Sequence, residues 1–404
     1  MVRMALNAAK RLKLAGTQAV RPVVPASRLP GIILGIYMAA ISITTFYLTL
    51  FFKDKLGFSG GQIGLLYSIQ AICGMLAVFP AGMGNDRFSS RRLIMVSLAI
   101  QAGVFVLMGV VRTYILFAGL FMLWSLASWT FRLSIDVQFL KTAGSQTLGN
   151  RIGLYQAFRY LGLTAGAIMA GYYIARLDFA ASLMLAGGVC LLLTLPSSRL
   201  PPTPLARVRI TDYRADFSNK KVILFSIWML LFATHWGAEQ TSYSLFLKEN
   251  LHLSMPAMGW YMAAEFLAII TSLLAAGDLI QREQNVRRIA VLGLAASGIG
   301  HMAMVIPVIA VSVGFRILHG IGDGCMLLIF YYGIARFFPI GHLGGNAGLV
   351  NLVTMIGYVV GSLIYGPLGE HFGYALPLGI SGLTTLLLIA PILYLRPARL
   401  ASSV

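Results

Sequence analysis

Several ionisable residues of this 404-residue chain stand inside long apolar stretches, where a charge is expensive and needs a partner or a task. In the stretch 309–335, Arg316, His319 and Asp323 are spaced i, i+3 and i+7, which lines them along one helical stripe. Glycines at 320, 322 and 324 leave that stripe open to a cavity or a close neighbour. Glu239, in the stretch 221–247, and Glu265, in 256–276, are further acids of the same kind. Arg316 can stay charged against a carboxylate, and Glu239 is the best candidate. His319 loads and releases a proton near neutrality, so the five groups together have the chemistry of a proton carrier. The alternative is a satisfied ion-pair network that only joins the stretch 309–335 to the stretches 221–247 and 256–276. His235, one turn before Glu239, reads equally as a hydrogen-bonded packing histidine.

A second set lies in the first half of the chain. Arg132 and Asp136 are an i,i+4 pair expected near the cytoplasmic end of the apolar stretch 114–140, and Arg159 stands about two turns into the next, 152–175, followed by Tyr160. Asp136 either binds substrate or pairs with Arg87 or Arg91 as an inner gate. The cationic head of Arg159 suits an anionic substrate group. There is no nucleotide-binding loop, nucleophile motif or metal-ligand cluster, which argues against an enzyme or an ATP-driven pump, and neither a cofactor nor a metal is expected. Cys73, Cys190 and Cys325 all fall in apolar stretches and read as packing residues.

The elements that must carry these groups are membrane helices. Hydrophobic residues make up 58% of the chain and charged residues 11%, and the mean hydropathy is +0.81; a soluble chain would carry about 25% charged residues. Twelve apolar stretches emerge, at 31–52, 61–83, 93–111, 114–140, 152–175, 179–196, 221–247, 256–276, 289–306, 309–335, 345–368 and 374–395. The expected fold class is therefore an all-α polytopic membrane protein with twelve transmembrane helices in two six-helix bundles. The predicted organisation is a basic leader over 1–30, a first bundle over 31–196, a linker over 197–221, a second bundle over 222–395 and a tail over 396–404. The excess of Lys and Arg (31 against 13 acids) lies in alternate loops, so it reports topology and not nucleic-acid binding. With a cytoplasmic N-terminus, 24 basic residues fall inside, five outside and two (Arg159 and Arg316) within spans. That split predicts that both termini are cytoplasmic.

The chain also repeats itself. Leu50-Phe-Phe-Lys-Asp-Lys-Leu-Gly-Phe-Ser59 recurs as Leu245-Phe-Leu-Lys-Glu-Asn-Leu-His-Leu-Ser254, an offset of 195 residues. The same offset maps Gly64 onto Gly259, Gly82 onto Gly277, Gly153 onto Gly348, Gly162 onto Gly357 and Gly166 onto Gly361. A duplicated six-span unit places a substrate site at mid-membrane between the halves, with rocking of one half on the other giving alternating access. The glycine pairs of spans 5 and 11 let backbones approach closely, for static packing or as a sliding surface.

These features resemble the major facilitator superfamily over essentially the whole chain. Gly82-Met-Gly-Asn-Asp86-Arg87-Phe-Ser-Ser-Arg91-Arg92 is similar to its signature loop between spans 2 and 3, with one residue added and Ser in place of the second glycine. The second copy keeps Gly277-Asp278 and Arg287-Arg288. The resemblance implies a charge contact at Asp86, Arg87 and Arg91 that holds one conformational state, with Arg132 as a further gating candidate. Within the superfamily the second half resembles the branch of the lactose permease and the nucleoside proton symporters: Ala238-Glu239-Gln240 is similar to its seventh span and Arg316-Ile-Leu-His319 to its tenth. It implies roles in substrate binding and proton coupling for Glu239, Glu265, Arg316, His319, Asp323, Asp136 and Arg159. Tyr160 stands where the branch has a sugar-stacking tryptophan. The expected function is transport of a small polar or amphipathic organic solute, coupled to H+, by a monomer in a bacterial inner membrane. The alternatives are a proton-driven exporter of lipophilic compounds and a non-transporting receptor or assembly factor.

Overall fold

The structure, a computed structural model, describes residues 28–45, 48, 51–58, 60–143, 147–176, 179–206, 208–280 and 285–394. The basic leader up to residue 27 and the tail from 395 lie outside the described residues. Twelve helical segments follow in chain order: α1 (Leu29–Thr45), α2 (Gly60–Arg87), α3 (Ser90–Val110), α4 (Tyr114–Thr142), α5 (Leu148–Arg176), α6 (Phe179–Ser197), α7 (Lys220–Ala238), α8 (Met255–Ile280), α9 (Val286–Ala303), α10 (Ile309–Phe337), α11 (Leu343–Phe372) and α12 (Ala375–Leu387). No strand occurs among the described residues. Nine of the described helices are long and apolar enough to cross a membrane. Apolar side chains that would be buried in a soluble protein, such as Leu76, Leu195, Leu292 and Leu363, point outward at 66–72% exposure, a surface suited to lipid and not to water. The chain is an integral membrane protein.

Helix packing repeats with the sequence. In the first half α1 packs on α5 and α6, α3 on α4 and α6, and α2 on α4; in the second half α7 packs on α11 and α12, α9 on α10 and α12, and α8 on α10. The offset of 195 residues holds atom by atom. A Cβ on Gly162 would strike the backbone of Gly35, and one on Gly357 would strike that of Leu230. Between the halves, Gly153 lies against the carbonyl of Leu273 and Gly348 against that of Val78, so α5–α8 and α2–α11 are two copies of one contact. Beyond α1 and α7 the chain winds into π-helical turns at Phe51–Lys55 and Phe246–Asn250, and each leads to a residue in the left-handed region, Gly57 (φ 67°) and His252 (φ 51°).

Three features depart from the sequence reading. The span expected at 221–247 is interrupted: α7 ends at Ala238 and continues as a π turn over Glu239–Tyr243. The twelfth span breaks at Leu388 and resumes at Ile389–Tyr394. The linker carries a short helix, Ile210–Phe217, started by Asp212, whose carboxylate accepts from the Arg209 amide at 2.7 Å. This linker helix lies against one end of both halves, hereafter the linker end.

Candidate functional site

Buried polar groups gather in three places, and helix geometry explains each. The largest cluster is built inside the second half. Gly320, Gly322 and Gly324 bring α10 against Glu265 and Ile269 of α8 and Gly293 and Ser297 of α9, so the stripe faces close neighbours and not open space. Gly300 similarly rests on the backbone of His319. At these approaches Arg316 forms ion pairs with both Glu239 and Glu265, and its guanidinium carbon lies 4.1 Å from the Tyr243 ring centroid. His319 Nε2 stands 3.1 Å from Glu239 and 3.7 Å from Asp323. Asp323 accepts from Ser297 Oγ at 2.7 Å and Trp236 Nε1 at 3.1 Å, and faces His235 Nε2 at 3.2 Å. The π turn matters here, because it begins at Glu239 and carries Tyr243 as well; such turns recur at functional sites. Of the charged groups in the cluster, Glu239 alone keeps appreciable access, at 18% side-chain exposure.

A smaller cluster joins the halves. Arg159 Nη2 pairs with Asp136 at 2.7 Å, and its Nη1 donates to the Tyr331 hydroxyl at 2.9 Å. Tyr331 donates to Asp136 Oδ2 at 2.9 Å and Tyr155 to Oδ1 at 2.6 Å. Asp136 and Tyr331 are separated by 195 residues, the offset of the repeat. Equivalent positions that touch must lie near the two-fold axis relating the halves, which puts this cluster at the centre of the molecule. Tyr160 lies beside it, its ring 5.8 Å from Phe266 of α8.

The third cluster is at the linker end. Asp86, fully buried, accepts from Lys141 Nζ (2.8 Å), the Tyr213 hydroxyl (2.9 Å) and the first free amides of α11, Gly344 N (2.9 Å) and Gly345 N (2.7 Å). A carboxylate at a helix N-terminus is favoured by its unpaired amides and dipole. Burial, then the Asp86 carboxylate, raises the Tyr213 phenol above its usual range and keeps it a donor. Asp278, the acid kept in the second copy of the motif, meets Asn150 at the start of α5, a weaker version of the same contact. The linker helix adds Asp216, which faces His342 at 3.0 Å and accepts from Asn346 at 2.6 Å.

Several expectations are corrected by this geometry. Asp136 does not pair with Arg87 or Arg91: Arg87 donates to the Val208 carbonyl at 3.2 Å and Arg91 to the Ser198 and Leu200 carbonyls at 3.3 and 3.4 Å, because the linker runs over that loop. Arg132 is not near the end of its span. Helix α4 continues to Thr142, ten residues or about 15 Å further, and the guanidinium lies over the Trp129 ring at 5.5 Å. Lys141, His301, Tyr155 and Tyr331 escaped the sequence reading. Lys141 sits beside a predicted loop, the tyrosines look like ordinary aromatics, and His301 was the one signal on offer, an ionisable residue at the end of an apolar run.

A helical membrane protein of two equivalent halves, with polar clusters at the axis between them and within one of them, is the architecture of a secondary transporter. The Major Facilitator Superfamily profile matches residues 31–245 and again 225–403, and the chain belongs to that superfamily. Among solved structures it is similar to the human organic anion transporter MFSD10 (TM-score 0.77, 12% identity, 92% of this chain and 99% of that one). It is also similar to the Escherichia coli fucose:proton symporter FucP (0.67, 14%, 90% and 97%) and to the nucleoside transporter NupG (0.64, 15%, 90% and 98%). No curated protein matches it closely enough in sequence to register.

Proposed function

We propose that the chain is a proton-coupled transporter of a small polar or amphipathic organic solute, working by alternating access. The observation that carries this reading is the unbroken chain of contacts from Arg316 through Glu239 and His319 to Asp323 and His235, which joins α7 to α10 and touches accessible space at Glu239. Protonation anywhere along it redistributes charge among helices that must move together. Solute binding belongs between the halves, at Asp136, Arg159 and Tyr160. An anionic solute group that displaces Asp136 takes up the Arg159 charge, a reading in keeping with the organic anions named for MFSD10; the name of FucP supports the proton. Asp86, with Lys141, holds the linker end shut, and Arg87 and Arg91 brace the linker. The linker end and both termini face the cytoplasm of a bacterial inner membrane, and the transporter works as a monomer without a cofactor.

The test is reconstitution into liposomes loaded with a pH-sensitive dye, with classes of solute screened with and without an imposed pH gradient. Solute-dependent proton flux should appear in the wild type and vanish in Glu239→Gln and Asp323→Asn. Solute movement indifferent to the gradient and to both substitutions would return these charges to a structural role.

A further inference from the structure

We propose that His235, His319 and Glu239 form a binding site for one divalent transition-metal ion of the Zn2+ type. One donor atom from each residue lies within 4.8 Å of the other two. The hydrogen bonds around the two imidazoles then decide what fits between them.

His235 Nδ1 lies 2.5 Å from the Phe232 carbonyl and His319 Nδ1 lies 2.9 Å from the Ser297 carbonyl. A carbonyl only accepts, so each Nδ1 carries the ring proton. The Ser297 hydroxyl, 3.3 Å from His319 Nδ1, donates to Asp323 and does not alter this assignment. In a neutral ring Nε2 is then a bare lone pair. Yet His235 Nε2 faces Asp323 Oδ2 at 3.2 Å and His319 Nε2 faces Glu239 Oε1 at 3.1 Å. An acceptor set against an acceptor is repulsive unless a positive charge lies between them. Either a proton lies in each contact, on the ring or on the carboxyl, or a metal cation is shared.

The charge count reaches the same number independently. The groups facing the cluster are His235 from α7, Glu239 and Tyr243 from the π turn that follows it, Glu265 from α8, His301 from α9, and Arg316, His319 and Asp323 from α10. Three carboxylates against one guanidinium leave two negative charges when the histidines are neutral. Two protons neutralise that deficit, and so does one divalent ion.

The donor set selects the ion. Two imidazole nitrogens and a carboxylate suit Zn2+ and its neighbours, whereas Mg2+ and Ca2+ prefer oxygen throughout. A ring that donates its other N–H to a backbone carbonyl is the usual support of a metal-bound histidine. Bond lengths of about 2.0–2.2 Å require the donors to draw together by about an ångström. Glu239, on the π turn and partly accessible, is free to do so, and Arg316 keeps Glu265 as its counter-ion when Glu239 turns to the metal.

The probe is Zn2+ itself, titrated calorimetrically into the untagged, purified full-length protein. At pH 7.5 one ion should bind with micromolar affinity or better, releasing protons and losing affinity as pH falls, while Mg2+ should not compete. His235→Asn and His319→Asn should each weaken binding by about 10- to 100-fold; His252→Asn, on the surface, should not. X-ray absorption of the Zn2+-loaded wild type should show nitrogen and oxygen ligands with two imidazoles, a readout that needs no variant. No saturable binding up to millimolar Zn2+, binding indifferent to both histidine substitutions, or a first shell without two imidazoles would each overturn the site.

Discussion

Removing the charge of Asp86 without changing its shape should open the linker end. The carboxylate accepts four hydrogen bonds, and two of them, from the Gly344 and Gly345 amides, cross from the first half to the second. Rocking the halves apart at this end breaks both. A bond to a charged acceptor contributes about 1.5–3 kcal/mol, so the pair holds about 3–6 kcal/mol in favour of closure. Asparagine offers one neutral acceptor oxygen, worth about 1 kcal/mol. Asp86→Asn should therefore shift the equilibrium towards opening by at least about 2 kcal/mol, a factor of about 30. The substitution has a second consequence: Lys141, with no side-chain exposure, is stranded without its counter-charge, at about 3–5 kcal/mol. The two effects separate in the double variant Asp86→Asn/Lys141→Met, which removes the stranded charge but restores no acceptor for α11. Thermal stability should fall in the single variant and return in the double one, whereas the bias towards opening should persist in both. Spin labels at Phe88→Cys and Phe337→Cys, exposed residues at the linker end of α2 and α10, report the state by pulsed-dipolar distance when Cys73, Cys190 and Cys325 are replaced by Ala. If the double variant shows the wild-type distance distribution, the bonds from Asp86 to α11 do not hold the closed state and the reasoning fails.

Three further outcomes can be read by thermal unfolding of the purified protein. Gly357→Ala would set a methyl against the backbone of Leu230, which cannot turn away, and should cost about 1–3 kcal/mol; Gly314→Ala, with nothing within 4 Å, should be neutral or gain up to about 1 kcal/mol. Equal stability of these two variants would contradict the close approach of α7 and α11. His252 holds a left-handed conformation that its equivalent, Gly57, adopts without steric cost, so His252→Gly should stabilise by about 1 kcal/mol. A loss of stability there would mean that the imidazole makes a contact worth more than the strain.

Much of this architecture was open to inspection in the chain alone, for a physical reason. A bilayer leaves no solvent for backbone groups or stray charges, so span lengths and the few ionisable residues within spans are constrained residue by residue. Arg316 with its acidic neighbours was readable on those grounds, and the repeat through Gly162 and Gly357 was readable because backbone contact tolerates no side chain. Pairings between distant segments were not. Nothing in local spacing connects Asp86 to Lys141, 55 residues on, or Asp136 to Tyr331. The π turn at Glu239 was equally hidden, since its composition is that of a continuing helix. The linker helix, Ile210–Phe217, is a short polar segment whose residence is fixed by tertiary partners, Tyr213 on Asp86 and Asp216 on Asn346.

The duplication explains why the chemistry divides as it does. At the offset of 195 residues Arg316, His319 and Asp323 correspond to Phe121, Trp124 and Ser128, and His235 and His301 to Ala40 and Val106. The backbone contacts are shared, but where the second half holds a charged network the first holds packed rings, Phe121 and Trp124 lying 5.2 Å apart. None of those five positions of the first half holds an acid or a histidine, so no proton-accepting group stands there to reorganise. Ionisation within the second half changes only its own internal balance, and the halves communicate through the two places where polar groups cross between them. Among the described residues one is at the axis, through Asp136, Arg159 and Tyr331; the other is at the linker end, through Asp86 and the α11 amides and through Asn150 and Asp278. On the proposed function, a solute bound at the axis would compete for Arg159 and Asp136 with Tyr331, which ties them to α10, the helix that also carries Arg316, His319 and Asp323. On that proposal helix α10 is the element through which occupancy at the centre and protonation in the second half would act on each other, because one helix carries Tyr331 together with Arg316, His319 and Asp323.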